Sequence, residues 1–191
     1  TKNEVLLVGS LIAYYKSPDN SVIKITLATK TGEITNYPHV VFYGNKVVNA
    51  IENFILSQEG KTKPKVAVRG VLQTKKKVSD GKASFYQDLI GKEINEASTV
   101  LEQSAGQLKG IQKIADKNEV FITGEMVSSY PIPNQKSCYV LTVKTVDGIP
   151  NFPKIACFGK TGVIASDFAV GDNVCIVGFI QTQRKVINEE K

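Results

Sequence analysis

The sequence contains no tryptophan, one histidine, one methionine and three cysteines among its 191 residues. The cysteines are Cys138, Cys157 and Cys175, and no two of them form a CxxC pair. Neither a disulfide framework nor a zinc site is therefore predicted, and we interpret the cysteines as small apolar side chains in a cytosolic protein. No apolar run is long enough to cross a bilayer and no signal-peptide pattern is present, so no membrane partner is expected.

Residues that suit catalysis are also scarce. His39 is the single histidine, and no second titratable residue stands at a motif spacing from it. The sequence has no glycine-rich phosphate loop and no cluster of metal-ligating residues. It therefore predicts a protein that binds without catalysing a reaction and that takes no cofactor or metal. His39 is expected to be a surface or phosphate-adjacent residue.

The net charge is +6, which favours an anionic partner. Part of that charge is concentrated in Lys75, Lys76 and Lys77, directly after a predicted strand. Arg184 and Lys185 occupy the corresponding place later in the chain. A lysine run at a hairpin end is often only solvated, but its recurrence at one structural position favours contact with phosphates.

An internal repeat organises the chain. The segment NYPHVVFYG at 36–44 returns as NFPKIACFG at 151–159. Two further segments also return, NEVLLVG as NEVFITG and VAVRGVLQT as VCIVGFIQT. We call residues 3–95 the first repeat and residues 118–185 the second repeat. The repeat predicts two small domains, at 1–102 and 118–191, each able to bury a modest core.

A connector at 103–117 separates these domains. Its apolar residues suggest partly helical structure, and its composition differs from that of a flexible glycine/serine linker. The first repeat carries about seven more residues than the second in the region 55–64, and we expect this insertion to lie in a surface connection.

Alternation with period two gives the repeated nine-residue segment two different faces. Tyr37, His39 and Tyr43 share one face, and the other face is apolar and suits a core. The residues on the corresponding face of the second copy are Phe152, Lys154 and Phe158. Two aromatics with a basic or titratable residue between them can stack unpaired bases while the basic residue holds a phosphate. The alternative is that the aromatics pack against a neighbouring strand or subunit.

The rest of each repeat predicts short strands and one helix, which follows the third strand. In the first repeat we expect strands at 5–12, 22–29, 36–44, 66–74 and 85–94, a helix at 46–56 and a hairpin turn at 79–82. In the second repeat the helix is expected at 161–168, and no fifth strand is evident. Tyr14, Tyr15 and Tyr130 are expected in loops, where aromatics are candidates for ligand contact.

In this order and spacing the patterns resemble the oligonucleotide-binding-fold (OB-fold) domain of the bacterial single-stranded-DNA-binding protein family. The resemblance covers the first repeat and, without its last strand, the second repeat. It is carried by Asn3-x-Val5-x-Leu7-x-Gly9-x-Leu11, Ile25–Ala28, Tyr37-x-x-Val40–Gly44, Val66-x-Val68-x-Gly70-x-Leu72–Thr74, Asp80-Gly81 and Tyr86.

The resemblance implies an all-β fold of two tandem five-stranded Greek-key OB-fold barrels, each with a short helix between strands three and four. Tyr37 and Phe152 stand where the family has a base-stacking tryptophan, and Tyr43 and Phe158 where it has a second stacking aromatic. His39 and Lys154 stand where the family tends to place a phosphate-binding residue. Members of the family with two domains per chain suggest a homodimer, with a monomer as the second choice.

The departures from the family are also informative. Its aromatic after strand two is replaced by Thr31-Gly32 and by Val146-Asp147, and its aromatic after strand four by Lys77 and Lys185. Because tryptophan is absent, stacking should be weaker at each site and phosphate contacts more important. The acidic, glycine-rich tail that recruits other enzymes is absent from this sequence, which puts recruitment by that route in doubt.

The predicted function is sequence-independent binding and protection of single-stranded DNA in replication, recombination, repair or mobile-element transfer. Single-stranded RNA is a closely related alternative, because nothing in the sequence reads the sugar. A second alternative is a tandem OB-fold module that binds another protein and has lost its DNA face. The candidate contact residues are Tyr14, Tyr15, Lys24, Tyr37, His39, Tyr43, Arg69, Lys75, Lys76, Lys77, Tyr130, Lys144, Phe152, Lys154, Phe158, Arg184 and Lys185.

Overall fold

The computed structural model describes residues 1–61, 64–97 and 114–183, and the chain there is mostly β. The first repeat forms β1 (Lys2–Lys16), β2 (Val22–Thr31), β3 (Ile34–Asn36), β4 (His39–Tyr43), helix α1 (Asn45–Ser57), β5 (Lys65–Ser79) and β6 (Lys82–Glu96). The second forms β7 (Lys117–Pro131), β8 (Cys138–Asp147), β9 (Ile149–Asn151), β10 (Lys154–Phe158), helix α2 (Lys160–Ser166) and β11 (Asn173–Gly178).

The chain forms two compact units that cut across the repeats. Of the described residues, the first-repeat unit contains those within Leu6–Val68, those within Glu93–Asn118, and residues 179–183. The second-repeat unit contains Thr1–Val5, Arg69–Lys92 and Glu119–Gly178. Each unit therefore combines most of one repeat with a strand extension from the other. The predicted domain bounds 1–102 and 118–191 stay a prediction.

In the first-repeat unit, alternation along the strands builds the core. β2 pairs antiparallel with β1 and with β4. The strand order β1–β5–β6–β4–β2, with the additional β1–β2 pairing, joins five strands in a cycle. Helix α1 follows Gly44, whose φ of 95° favours glycine, and buries Val48, Ile51 and Ile55. The strand side chains buried in this unit include Leu7, Ile23, Ile25, Leu27, Val40, Phe42, Val66 and Val68.

In the second-repeat unit, β8 pairs antiparallel with β7 and β10, and β11 pairs with β7. Its core includes Val120, Ile122, Met126, Leu141, Val143, Ala165 and Val174. The outer half of the β5–β6 hairpin lies in the same unit. There the Thr74 N–H donates to Asn151 Oδ1 over 2.7 Å. The Lys154 N–H donates to Gln87 Oε1 over 2.9 Å. A hairpin of the first repeat thus contacts β9 and β10 through side-chain amides.

The β5–β6 turn is the two-residue hairpin that its sequence predicts. β5 ends at Ser79 and β6 begins at Lys82. Asp80 and Gly81, with φ of 51° and 74°, form the connection. Positive φ at both central residues matches the right-handed twist of paired strands, and Asp-Gly adopts it readily. The tip therefore extends two long strands without a larger loop.

Two sequence expectations require correction. Tyr14, Tyr15 and Tyr130 lie in strands β1 and β7, not in loops, because pairing with β2 and β8 continues to the strand ends. The predicted third strand is divided into β3 and β4, because Pro38 has no N–H to continue the ladder. The break recurs at Pro153, between β9 and β10.

The other bounds agree with expectation to within a few residues. The helix expected at 46–56 spans Asn45–Ser57, and the one expected at 161–168 spans Lys160–Ser166. Most of the predicted connector at 103–117 lies outside the described residues, as do Arg184 and Lys185. In the described parts of the chain, no helix is long and apolar enough to span a membrane.

Candidate nucleic-acid interface

The register of β1, β2 and β4 places several predicted site residues on one outward face of the first-repeat unit. Tyr15 stands opposite Lys24, which stands opposite Val41. In the next row Ala13 stands opposite Thr26, which stands opposite His39. Tyr15, Lys24 and His39 are exposed, and so are Tyr37 and Tyr43, which flank β4 and end it. We call this surface the first-repeat face.

The environment of His39 on this face favours its neutral form. Its Nδ1 lies 2.8 Å from the Thr26 hydroxyl. Partial burial, reinforced by the positive charge of Lys24, lowers the pKa of His39 from its usual value. Lys24 therefore carries the formal charge at the centre of the face.

The register of β7, β8 and β10 places the corresponding residues on one outward face of the second-repeat unit. Tyr130 stands opposite Val140, which stands opposite Ala156. In the next row Ser128 stands opposite Thr142, which stands opposite Lys154. The exposed aromatics Phe152 and Phe158 flank and end β10, as Tyr37 and Tyr43 do for β4. We call this surface the second-repeat face.

The two faces have equivalent residues at most positions, but the strand that carries the central positive charge differs between them. The equivalent pairs are Tyr15 and Tyr130, Thr26 and Thr142, Tyr37 and Phe152, His39 and Lys154, and Tyr43 and Phe158. Lys24 has an apolar counterpart, Val140, so the central charge comes from β2 in one face and from β10 in the other. Lys144 lies farther along β8, opposite Glu125 of β7.

Tyr14, a predicted site residue of β1, lies away from the first-repeat face. It stands opposite the buried Ile25, and successive side chains of a strand point to opposite faces. Tyr14 lines a shallow depression of ≈ 230 Å³, together with Ile12, Ile55 and Gln58. Tyr15, next in the chain, lies on the first-repeat face.

The β5–β6 hairpin carries further predicted basic residues of the second-repeat unit. Arg69, Lys76 and Lys77 are exposed. The Lys75 ammonium lies 3.3 Å from an Asp88 carboxylate oxygen, so part of its charge is compensated within the hairpin.

Sequence reasoning missed two aromatic residues on this hairpin as contact candidates. Phe85 and Tyr86 are both exposed and follow the Asp80–Gly81 turn on β6. Neither has a counterpart in the second repeat, so the repeat pattern offers no signal for them. The signal that was available is local: two adjacent aromatics on a strand beside a lysine-rich strand end.

Comparison with known proteins supports the fold. No protein-family model and no curated protein matches the chain. The structure is similar to that of the wild-type single-stranded DNA binding protein from Thermus aquaticus, with a TM-score of 0.61 and 18% identity over 94% of this chain and 85% of that one. It is also similar to a deletion mutant of that protein, with a TM-score of 0.59 and 16% identity over 99% and 98% of the two chains.

These identities establish a fold and no more. The expectation of a mostly β protein of this fold type is confirmed, whereas the contact residues stay a prediction. The chain has the fold of the single-stranded DNA binding protein from Thermus aquaticus.

Proposed function

We propose that the protein binds and protects single-stranded DNA without sequence preference and catalyses no reaction. The observation that carries the proposal is the arrangement common to both faces: exposed aromatics precede and end a strand whose first residue, His39 or Lys154, is exposed. Aromatic rings stack on any base, because every base has a π-face, and cationic side chains neutralise phosphates. The same plan in both units suits one strand of DNA that crosses several contacts.

Magnitudes favour the use of both faces. A base stacked on an aromatic side chain contributes about 1–3 kcal/mol. One face that offers a few such contacts supports only modest affinity, because ordering the strand opposes binding. Joining two faces in one chain makes the second binding event intramolecular, which raises the overall affinity.

The β5–β6 hairpin belongs to the proposed surface of the second-repeat unit. Lys76 and Lys77 are exposed cations, and Phe85 and Tyr86 are exposed rings on the paired strand. Because successive side chains of a strand point to opposite faces, one of these lysines and one of these rings can share the DNA-binding side of the hairpin, and basic residues near aromatics are typical of grooves that hold unpaired strands. Arg69, nearer the base of β5, extends the positive charge.

The finer architecture is part of the proposal. We interpret the chain as two tandem OB-fold barrels with bounds 1–102 and 118–191, which act as a cytoplasmic homodimer. Support for the barrels comes from the strand cycle of the first repeat and from the equivalent pairings of β7, β8 and β10. The pathway served would be replication, recombination, repair or mobile-element DNA transfer.

Fluorescence anisotropy with labelled oligothymidine, a matched duplex and oligouridine, each at low and moderate salt, tests the proposal. We expect tight, salt-sensitive binding to oligothymidine and duplex binding weaker by about a hundredfold. Preference for oligouridine would assign the protein to RNA. Failure to bind any of the three would contradict the proposal and favour a protein partner for the aromatic faces.

A further inference from the structure

We propose that Thr182, in the second repeat, is a positioning residue for Tyr37, in the first repeat. The inference rests on the proposed function, in which Tyr37 stacks on a base. It concerns contacts inside the first-repeat unit, to which residues 179–183 belong. Its consequence is that the first-repeat face is completed only by a residue of the other repeat.

Tyr37 lies where the β-ladder cannot hold it. The β2–β3 pairing ends at Asn36, and the β2–β4 pairing begins at His39. Pro38 has no N–H, and its carbonyl accepts the Leu27 N–H over 3.1 Å. The Tyr37 N–H is therefore left without a strand partner.

Thr182 supplies the missing partner. The Tyr37 N–H donates to Thr182 Oγ1 over 2.9 Å. One residue earlier, the Thr182 N–H donates to the side-chain Oδ1 of the buried Asn36 over 3.0 Å. Two hydrogen bonds thus join Thr182 to this segment, one at the Tyr37 backbone and one at the Asn36 side chain.

The segment that carries Thr182 is itself held firmly. The buried Asn118 side chain donates to the Ile180 carbonyl over 2.7 Å and accepts the Ile180 N–H over 2.8 Å. Asn118 Nδ2 also lies 3.4 Å from the Thr29 hydroxyl on β2. The Asn118 amide makes two hydrogen bonds to Ile180, which is two residues before Thr182. Thr182 therefore has little freedom to move away from Tyr37.

The equivalent threonine of the first repeat provides a matched control. Thr74 also donates its N–H to an asparagine, Asn151, but its hydroxyl is buried and has no hydrogen-bond partner among the described residues. The N–H of Phe152, the counterpart of Tyr37, instead donates to Oδ1 of the preceding Asn151 over 3.1 Å. The hydroxyl therefore matters at position 182 and is dispensable at position 74.

Amide hydrogen exchange of the free protein, followed at Tyr37 by NMR, tests the contact directly. Thr182→Val removes the acceptor at nearly constant volume. We expect the Tyr37 N–H to exchange slowly in the wild type and at least about tenfold faster in the variant, because its partner is lost. Thr182→Ser should retain slow exchange. Fast exchange in the wild type, or equal rates in Thr182→Val, would overturn the inference.

Oligothymidine affinity tests the positioning role. Thr182→Val should weaken binding about threefold to tenfold, as expected for one hydrogen bond, and Thr182→Ser should restore it. Thr74→Val should leave affinity within about twofold of wild type. In a Tyr37→Ala background Thr182→Val should change affinity by less than about twofold, because residues that act through one another are not additive. A purely structural role would instead give the same loss in both backgrounds.

These outcomes separate the inference from the proposed function. If the wild type does not bind oligothymidine, the proposed function fails, and the exchange experiment still decides the contact. If the wild type binds and Tyr37→Ala weakens binding but Thr182→Val does not, the positioning role is wrong while the function stands. Should Thr182→Val not fold, Thr182→Ala with the same Tyr37 background gives the same comparison.

Discussion

At the scale of single residues, the role proposed for the exposed aromatics is binding and not stability. Tyr37 and Phe152 remain 48% and 39% exposed, although each is next to a buried proline. An exposed ring gains little from burial on folding, so its removal should change the free energy of unfolding only slightly. Binding and stability should therefore respond separately to these side chains.

The double variant Tyr37→Ala, Phe152→Ala should weaken oligothymidine binding by about tenfold or more, because two stacking contacts are lost. Its melting temperature should stay close to that of the wild type. Anisotropy and thermal unfolding measure the two quantities. Unchanged affinity in a folded variant would contradict the stacking assignment.

The adjacent tyrosines of β1 allow a sharper comparison. Tyr15 faces outward beside Lys24, whereas Tyr14 lies opposite Ile25 on the other face of the strand. Tyr15→Ala should weaken oligothymidine binding by about fivefold or more, and Tyr14→Ala by much less. Equal losses in anisotropy titrations would show that DNA does not follow the outward face of β1.

His39 should make the first-repeat face sensitive to pH. Its folded-state pKa is lowered by burial and by Lys24, so its contribution to stability is complete above the usual value of about 6.5 and is lost as pH falls through the lowered pKa. A bound phosphate favours the charged imidazole, so DNA affinity should rise over the same acidic range.

The measurement is oligothymidine affinity and melting temperature as the pH falls from about 8 to about 5, across the usual histidine value and below it. His39→Gln should flatten part of both profiles. Identical pH profiles for the wild type and the variant would contradict a DNA contact at His39.

At the scale of elements, β1 and β7 depend on glycine for close packing. A Cβ added at Gly9 would collide with the Ala28 carbonyl oxygen of β2, and one at Gly124 with the Lys144 carbonyl oxygen of β8. Because backbone atoms cannot move aside easily, Gly9→Ala should destabilise the protein by about 1–3 kcal/mol. Urea unfolding measures this, and Ser10→Ala, the next position on β1, should cost less than about 0.5 kcal/mol.

The β5–β6 hairpin should contribute mainly through charge. Lys76 and Lys77 are exposed, whereas Lys75 is near Asp88. Replacing both exposed lysines with alanine should reduce the slope of log affinity against log salt by about one to two. The exposed Lys46, at the start of α1, is a control whose replacement should leave the slope unchanged. Equal slopes for all variants would exclude phosphate contact by the hairpin.

At the scale of the whole molecule, each compact unit contains a strand extension that comes from the other repeat. The sequence repeat did not predict this feature. Thr74 of the first repeat bonds Asn151 of the second, and Thr182 of the second bonds Asn36 of the first. The sequence shows both asparagines and both threonines in equivalent places, but not which copy pairs with which. That choice depends on contacts between residues far apart in the chain.

Sequence patterns predicted the structural features that depend on residues close together in the chain. The exposed positions Tyr37, His39 and Tyr43 follow from period-two alternation, which is a local property of a strand. Alternation would also place Val41 outward, yet it is only 9% exposed because neighbouring groups cover it. The division of β3 from β4 was accessible in principle, since Pro38 cannot donate a ladder hydrogen bond.

By itself, the sequence determined the β character, the repeated segments, the Asp80–Gly81 turn and the outward alternation on β4 and β10, because each depends on neighbours a few residues apart. Only the tertiary structure decided that Tyr14 and Tyr15 lie in a strand, that the Tyr37 N–H donates to Thr182, and that burial and Lys24 lower the pKa of His39. These outcomes depend on strand pairing, burial and charge, which arise when distant segments meet.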